Sequence, residues 1–473
     1  MKKGYLGIDI GTTGTKSILF DEKDKILGRG YQSYKLISPC EKYYEQDAED
    51  WFDAVVNTVK TAIKDFDGEI DAISFSAQGG SFLLCDIDEK GNLIALTNAL
   101  TWLDSRAEKE AEEFSDEIYK ISGEKISSSS IIGKLIWLKR NSPEVFKKTK
   151  LVLSTSDYIY YRLTGKAVID YTSAAMMGIF DNDKLCWDQK ILDFIGMDAK
   201  QFPTILSAGD LIGVCNNEFL SLTGLKGKAN IYCGLHDQFA ASIGSNYFGD
   251  NNLIISTGTT WVVFGRNDKK IDSEFSGRKH PLGGYGYFIS AVSSGTVLDW
   301  GKNFFETKYE ELNNEIEKIS FDSELLVYPF ISGNGTYRGE NNLKFSVHNM
   351  NYNHTKFDVL KATMEGVAFE IKEIVDKYIT NGFNFKNIIV TGGATKSNIW
   401  MRILSTVLNR KLYLSEQVDG CCFGAYSVAR KSIDGIFNTF KFTGKIVEPN
   451  TNLVGKYLEK FAKYNKLLMH NRV

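Results

Sequence analysis

The sequence predicts an α/β protein of two related domains. Three observations predict it: a hairpin pattern written twice about half a chain apart, strand and helix patterns that alternate, and a length of 473 residues. That length exceeds one comfortable hydrophobic core. The first hairpin copy runs from Leu6 to Phe20 around Gly11-Thr12-Thr13, and the second from Leu253 to Phe264 around Gly258-Thr259-Thr260. Glycine supplies the dihedrals of a tight turn, and the flanking branched residues prefer strands. Such a turn gathers backbone N–H groups and hydroxyls into one concavity, which suits a phosphate chain. One copy alone is ordinary hairpin chemistry; two copies suggest two domains gripping one nucleotide.

The first copy also carries an acid within its strand. Asp9 lies between Ile8 and Ile10, where alternation sets it on the opposite face. A carboxylate beside a phosphate turn suits an intervening divalent cation. A strand-end acid capping the turn is the other reading.

The elements follow in order. Gln46 to Asp50 opens a helix that continues to about Asp65, with Trp51, Val55, Val59 and Ile63 on one face. Asp71 to Ser76 reads as a strand ending in Ala77-Gln78-Gly79-Gly80, and Ser81 to Asp86 as a second, closed by a turn over 88–92. Residues 141–213 mix helices and loops. Ala229 to Gly234 is a strand followed by His236-Asp237-Gln238 and a small-residue helix, Phe239 to Gly244. A long helix spans Asp358 to Tyr378, and Asn387 to Thr391 is a buried strand ending in Gly392-Gly393-Ala394. Such alternation sets ligands at the carboxyl ends of strands. The expected domains are 1–245 and 246–473.

Composition narrows the class. Hydrophobic residues make up 43% and charged residues 24%, with a formal net charge of −3. That balance gives no electrostatic reason for a nucleic-acid partner. Seven dispersed cysteines without metal-ligand spacing suggest reduced thiols and a cytoplasmic location. No apolar run reaches transmembrane length, and Asp9 interrupts the N-terminal stretch too early for a signal peptide.

The strand-end loops carry candidate chemistry. Asp237 stands at a strand-to-helix corner, where it can accept a proton from a hydroxyl nucleophile or cap the helix. Gly392 and Gly393 let a flat ring approach the backbone, unless they form a plain turn. Trp102-Leu103-Asp104-Ser105-Arg106 offers an apolar surface with an acid and a base, suited to a polyhydroxylated substrate; a helix start with a local Asp–Arg pair is the alternative. Gln78 and Gly79 can add hydroxyl recognition. The glycine-rich loop 333–339 has no readable role.

The ordered set Gly7 to Thr13, Trp102 to Arg106, Asp157-Tyr158 with Leu163-Thr164-Gly165, His236-Asp237-Gln238, Ser256 to Thr260 and Gly392-Gly393-Ala394 resembles the FGGY carbohydrate kinases from residue 4 to about 430. The resemblance implies two ribonuclease H-like, actin-like ATPase domains with a ligand cleft between them. It implies ATP with Mg²⁺, and a small sugar or polyol as partner rather than nucleic acid or membrane; a homodimer stays open. The first domain would hold the phosphate 1 hairpin, sugar pocket and catalytic base, and the second the phosphate 2 hairpin and adenosine site. Asp237 would be the catalytic base, with Asp9 and Asp237 facing the metal. Gly11, Thr12, Thr13 and Lys16 would meet the phosphates, although Lys16 reads equally as a solvated strand lysine. Gly258 and Thr259 would make the second phosphate contact, and Gly392, Gly393 and Asn398 would bound the adenosine. Gln78, Gly79, Trp102, Asp104 and Arg106 would line the sugar pocket.

Departures loosen the substrate. Ala77-Gln78-Gly79 stands where xylulokinases resemble one another in Met-His-Gly; Arg402 and Thr406 occupy places where the family often has Gln and Asp. The loop Ser332 to Lys344 lacks the usual proline and charge pattern. The expected acceptor is a ketopentose such as D-xylulose. Gluconate, glycerol or an autoinducer-2 type substrate is the alternative, and an actin- or chaperone-like ATPase or an idle sugar sensor is more remote.

Overall fold

The computed structural model describes residues 2–122, 126–245, 252–271, 277–291, 293–319, 323–331, 343–415, 419–435, 442 and 444–470. The loop 333–339 therefore lies outside the described residues. The chain forms two compact units. The first comprises Met1–Gly244, Arg278–Gly283 and Asp419–Asn438, and the second Ser245–Gly277, Gly284–Val418 and Thr439–Val473. The helix Gly420–Asp434 returns to the first unit because its apolar residues Cys422, Phe423 and Tyr426 are buried there. Phe20 stacks on Tyr426 with ring centroids 4.4 Å apart.

The main sheet of the first unit has six strands. Their order is Leu211–Val214, Asn230–His236, Glu69–Ala77, Lys3–Ile10, Gly14–Phe20 and Ile26–Ser33. Gly14–Phe20 is antiparallel to both of its neighbours, the middle pairings are parallel, and the outermost strand is antiparallel again. Within the second unit the same plan recurs. Tyr285–Ala291, Trp261–Asn267 and Asn252–Thr257 are antiparallel; Asn387–Gly392 and Leu412–Leu414 continue in parallel, and Lys445–Val447 closes antiparallel. The hairpin repeated in the sequence is thus the visible part of a repeated sheet.

The helix expected after the first hairpin spans Ala48–Ile63, capped by Asp47, whose carboxylate accepts from the Glu49 N–H. Its face of Trp51, Val55 and Val59 is fully buried against the first sheet. The long helix of the second unit spans Lys356–Thr380, and its Leu360, Met364, Val367, Ile371, Ile374 and Tyr378 enter one core with Trp261 and Trp400. A smaller sheet in the first unit orders Glu45–Gln46, Ala99–Leu100, Phe82–Ile87 and Leu93–Ala95, with Leu151–Ser154 also on Phe82–Ile87. This smaller sheet brings the chain around Gln46 next to the loop that follows Leu100. Among the described residues no helix is long and apolar enough to cross a membrane.

Candidate active site

Parallel strands end together, so acids placed at their carboxyl ends meet. Asp9 pairs in register with Ser76 on the neighbouring strand, and Leu235 pairs with the same serine from the other side. The Ser76 hydroxyl donates to Asp9 Oδ1 at 2.8 Å. Burial, then the neighbouring Asp237 charge, raises the Asp9 carboxyl to about 6, against the pull of Ser76 and Lys16. Lys16 faces Asp9 across the hairpin and is half-buried.

Asp237 begins the helix Asp237–Gly244 directly after its strand. Burial raises its carboxyl to about 6, although hydrogen bonds from Gln238 favour the charged form. Its Oδ1 lies 3.2 Å from His236 Nε2 and accepts no hydrogen bond. His236 is a buried, neutral imidazole, its pKa lowered to about 3 by desolvation. The backbone at this corner is also fixed: the His236 N–H donates to Thr172 Oγ1 at 2.9 Å, and the Thr172 hydroxyl donates to buried Asp170. Behind the site, the Cys421 thiol donates to the Asp237 carbonyl and the Cys422 thiol to that of Lys16, each at 3.6 Å.

The first Gly-Thr-Thr turn closes with the Gly11 N–H donating to the Gly14 carbonyl at 3.1 Å. Gly11 and Thr12 are half-buried and Thr13 is exposed. The Tyr34 hydroxyl holds the Gly11 carbonyl, and Gln46 Nε2 holds that of Thr12 at 2.7 Å.

The expected sugar-lining residues divide. Trp102 is 40% exposed and available at the surface. Gln78 is buried and donates through Nε2 to Gln46 Oε1 at 2.8 Å. Gly79 packs on His236: a Cβ there would come within 2.4 Å of the imidazole, so only glycine lets this loop lie so close. Asp104 and Arg106 bond to one another, the local-pair alternative that the sequence also allowed. Asp104 is fully buried; Arg106 donates to it from Nε at 3.0 Å and from Nη2 at 2.7 Å, and also to Glu45 Oε1 at 2.5 Å. The guanidinium lies 3.9 Å from the Tyr43 ring centroid. Asp104 further accepts the Tyr44 N–H at 2.8 Å. The local Asp–Arg pair is thus what the sequence motif builds.

In the second unit, Gly258 and Thr259 are exposed at the second turn. The Thr259 carbonyl accepts the N–H groups of Gly295 and Thr296 at 3.0 and 3.1 Å. Gly392 adopts φ +100°, a region that favours glycine, and Gly392, Gly393 and Asn398 are all exposed. Thr257 joins turn and loop: its hydroxyl donates to the Thr391 carbonyl at 2.7 Å and accepts the Ala394 N–H at 3.2 Å.

Sequence reasoning missed Ser76, Thr172, Glu45 and the bonding role of Gln46, because each acts through a partner distant in the chain; Asp170, a local cap on Thr172, enters the site only through the Thr172 bond to His236. Thr257 alone had a signal, since it opens the second repeated turn.

Comparison with known proteins identifies the domain types. The description "FGGY family of carbohydrate kinases, N-terminal domain" matches residues 4–244, and its C-terminal counterpart residues 253–432. The chain is 26% identical to a xylulose kinase of Bacillus subtilis, covering 99% of this chain and 97% of that one. A solved gluconate kinase from Lactobacillus acidophilus superposes with TM-score 0.90 at 25% identity, covering 99% and 98% of the two chains. A ligand-bound xylulose kinase from the same organism does so with TM-score 0.90 at 25% identity, covering 98% and 97%. With both domain types matched in order and nearly the whole chain aligned, this protein belongs to the FGGY family of carbohydrate kinases.

Proposed function

We propose that the chain transfers the γ-phosphoryl group of ATP to a hydroxyl of a small ketose, a ketopentose such as D-xylulose first. The observation that carries this reading is Asp237, a half-buried carboxylate at a strand end whose Oδ1 accepts no hydrogen bond. With its carboxyl raised to about 6, it is a stronger base than an ordinary aspartate and still ionised at neutral pH. In the reading, Asp237 takes the proton of the acceptor hydroxyl as that oxygen attacks the γ-phosphorus. The bond to the β–γ bridging oxygen breaks, and ADP leaves with its electron pair.

The first unit would supply this base, Asp9, and the Gly11–Thr13 turn with Lys16 for the phosphates. The second would supply the turn at Gly258 and Thr259 and, with Gly392, Gly393 and Asn398, the adenosine site. Catalysis is then chiefly positioning and electrostatics. The donor set fits Mg²⁺ held by Asp9 and Asp237 only with phosphate oxygens and water as further ligands, since the described residues contain no group of three or more His, Cys, Asp or Glu that could hold a metal. When bound, the ion neutralises phosphate charge. Free thiols at all seven cysteines fit a reducing, cytoplasmic setting.

Arg106 supports a neutral acceptor over a sugar acid. Its guanidinium is already engaged by Asp104 and Glu45, so it is poorly placed to pair with a substrate carboxylate. A coupled ADP-release assay over D-xylulose, D-ribulose, L-xylulose, gluconate and glycerol tests the reading. Preference for gluconate would overturn the ketose assignment.

A further inference from the structure

Gln46 is fully buried on the short strand before the helix Ala48–Ile63. Its amide orientation is dictated by its neighbours. The Trp51 indole nitrogen, which can only donate, meets Gln46 Oε1 at 3.2 Å, and the Thr12 carbonyl, which can only accept, meets Nε2 at 2.7 Å. Gln46 Oε1 therefore presents an acceptor to Gln78, which must answer with its own Nε2, at 2.8 Å. One consequence is forced: Gln78 Oε1 faces away from this chain of bonds. Gln78 is only 3% exposed, and its Oε1 has no hydrogen-bond partner. A buried acceptor without a donor is costly, and a ligand hydroxyl would relieve it. Gln78 stands at the end of the strand beside Asp9, and its own N–H donates to the Ile10 carbonyl at 2.9 Å. The unsatisfied acceptor is thus two short links from the first phosphate turn.

We propose that Gln46 is a positioning residue that turns the buried Gln78 amide oxygen away from the Gln46 bond, leaving it as an acceptor for a sugar hydroxyl, and, through the Thr12 carbonyl, holds the phosphate turn. The inference rests on the sugar-kinase reading and deepens it. Sugar and phosphate contacts then share one rigid relay, Gln78–Gln46–Thr12, with Trp51 fixing its sense. Such a site rejects acceptors that lack a donor hydroxyl at that place.

Three variants test it: Gln46→Met, Gln46→Glu and Gln78→Met. The acceptor probe is whichever of D-xylulose, D-ribulose, gluconate and glycerol gives the unchanged protein its highest kcat/KM. Gln46→Met should raise the KM for both this acceptor and ATP by about tenfold, the scale of one lost buried hydrogen bond. Gln46→Glu still accepts from Trp51 and Gln78, so it should restore the acceptor KM to within about threefold of the parent. Gln78→Met should raise the acceptor KM about tenfold and leave the ATP KM within about twofold. A folded Gln46→Met protein with both constants unchanged overturns the proposal. So does Gln78→Met with an unchanged acceptor KM, which decides the matter even where Gln46→Met does not fold. If no acceptor is turned over by the parent, the ketose reading falls separately. Calorimetric titration with adenylyl imidodiphosphate then decides: weaker binding by Gln46→Met supports the relay, and equal binding overturns it.

Discussion

The Trp102 indole nitrogen donates to the Thr12 hydroxyl at 2.9 Å, so the loop after Leu100 is tied directly to the first Gly-Thr-Thr turn. Together with the bond from Gln46 to the Thr12 carbonyl, it leaves Thr12 held from two sides. Trp102→Phe keeps most of the ring and removes only the donor. Its expected effect is a rise of roughly three- to tenfold in the KM for ATP, the cost of one modest hydrogen bond. A change confined to the acceptor KM would mean that Trp102 serves the sugar alone.

Asp237→Asn is nearly isosteric but cannot take the hydroxyl proton. We expect kcat to fall by about 10²–10⁴ while ATP binding, followed by calorimetry, stays near normal. Near-normal turnover would reduce Asp237 to a helix-start residue.

The pH dependence has a defined sign. With Asp237 and Asp9 both raised to about 6, log(kcat/KM) should fall as pH drops below about 6, with a slope of at least one. Stability runs the other way, because a raised carboxyl binds its proton more tightly folded than unfolded. The folded protein gains from this group as pH falls through 6, fully so below 3.8, and loses that gain as pH rises. Asp237→Asn, which mimics the protonated acid, should therefore melt above the parent at pH 8, with the difference shrinking toward pH 4. A constant difference across that range would contradict the shift.

Two adjacent glycines should respond differently. At Gly392, φ is +100° and a Cβ would lie 2.7 Å from the Thr257 carbonyl oxygen, so Gly392→Ala should lower the melting temperature. At Gly393 the nearest atom is 3.8 Å away. Gly393→Val should fold normally and raise the KM for ATP far more than that for the sugar. Equal damage to both constants would make the loop merely structural.

Arg106→Ala separates a structural ion pair from a substrate contact. Removing the guanidinium leaves the fully buried Asp104 without its cation, and the loss of a buried partner costs about 3–5 kcal/mol. Chemical denaturation should show that loss. A stable variant with only a raised acceptor KM would return Arg106 to the sugar pocket.

What was legible in the sequence is what depends on near neighbours in the chain. Trp51, Val55 and Val59 announced a buried helix face by spacing alone, and both hairpins were visible because turn and strand chemistry are local. Asp9 was legible because an acid interrupts an apolar strand. The side-chain roles of Asp104 and Arg106 were not: the motif is equally compatible with a substrate wall and an internal pair. Glu45 and Tyr43, about 60 positions earlier, complete the cage around the guanidinium.

The sequence by itself determined the repeated hairpins, the α/β alternation, the order of the family motifs and the acids at 9 and 237. These are encoded by residue type and short spacing, which the backbone reads locally. Only the tertiary structure decided that Asp237 Oδ1 goes without a hydrogen bond, that Gln46 sets the sense of the Gln78 amide, and that both units share one strand order. Strand pairing brings Asp9, Ser76 and Leu235 together from positions far apart in the chain, and burial then makes each remaining polar atom costly unless paired. Which atom is left over for a ligand follows from that accounting, and it exists only once the chain has folded.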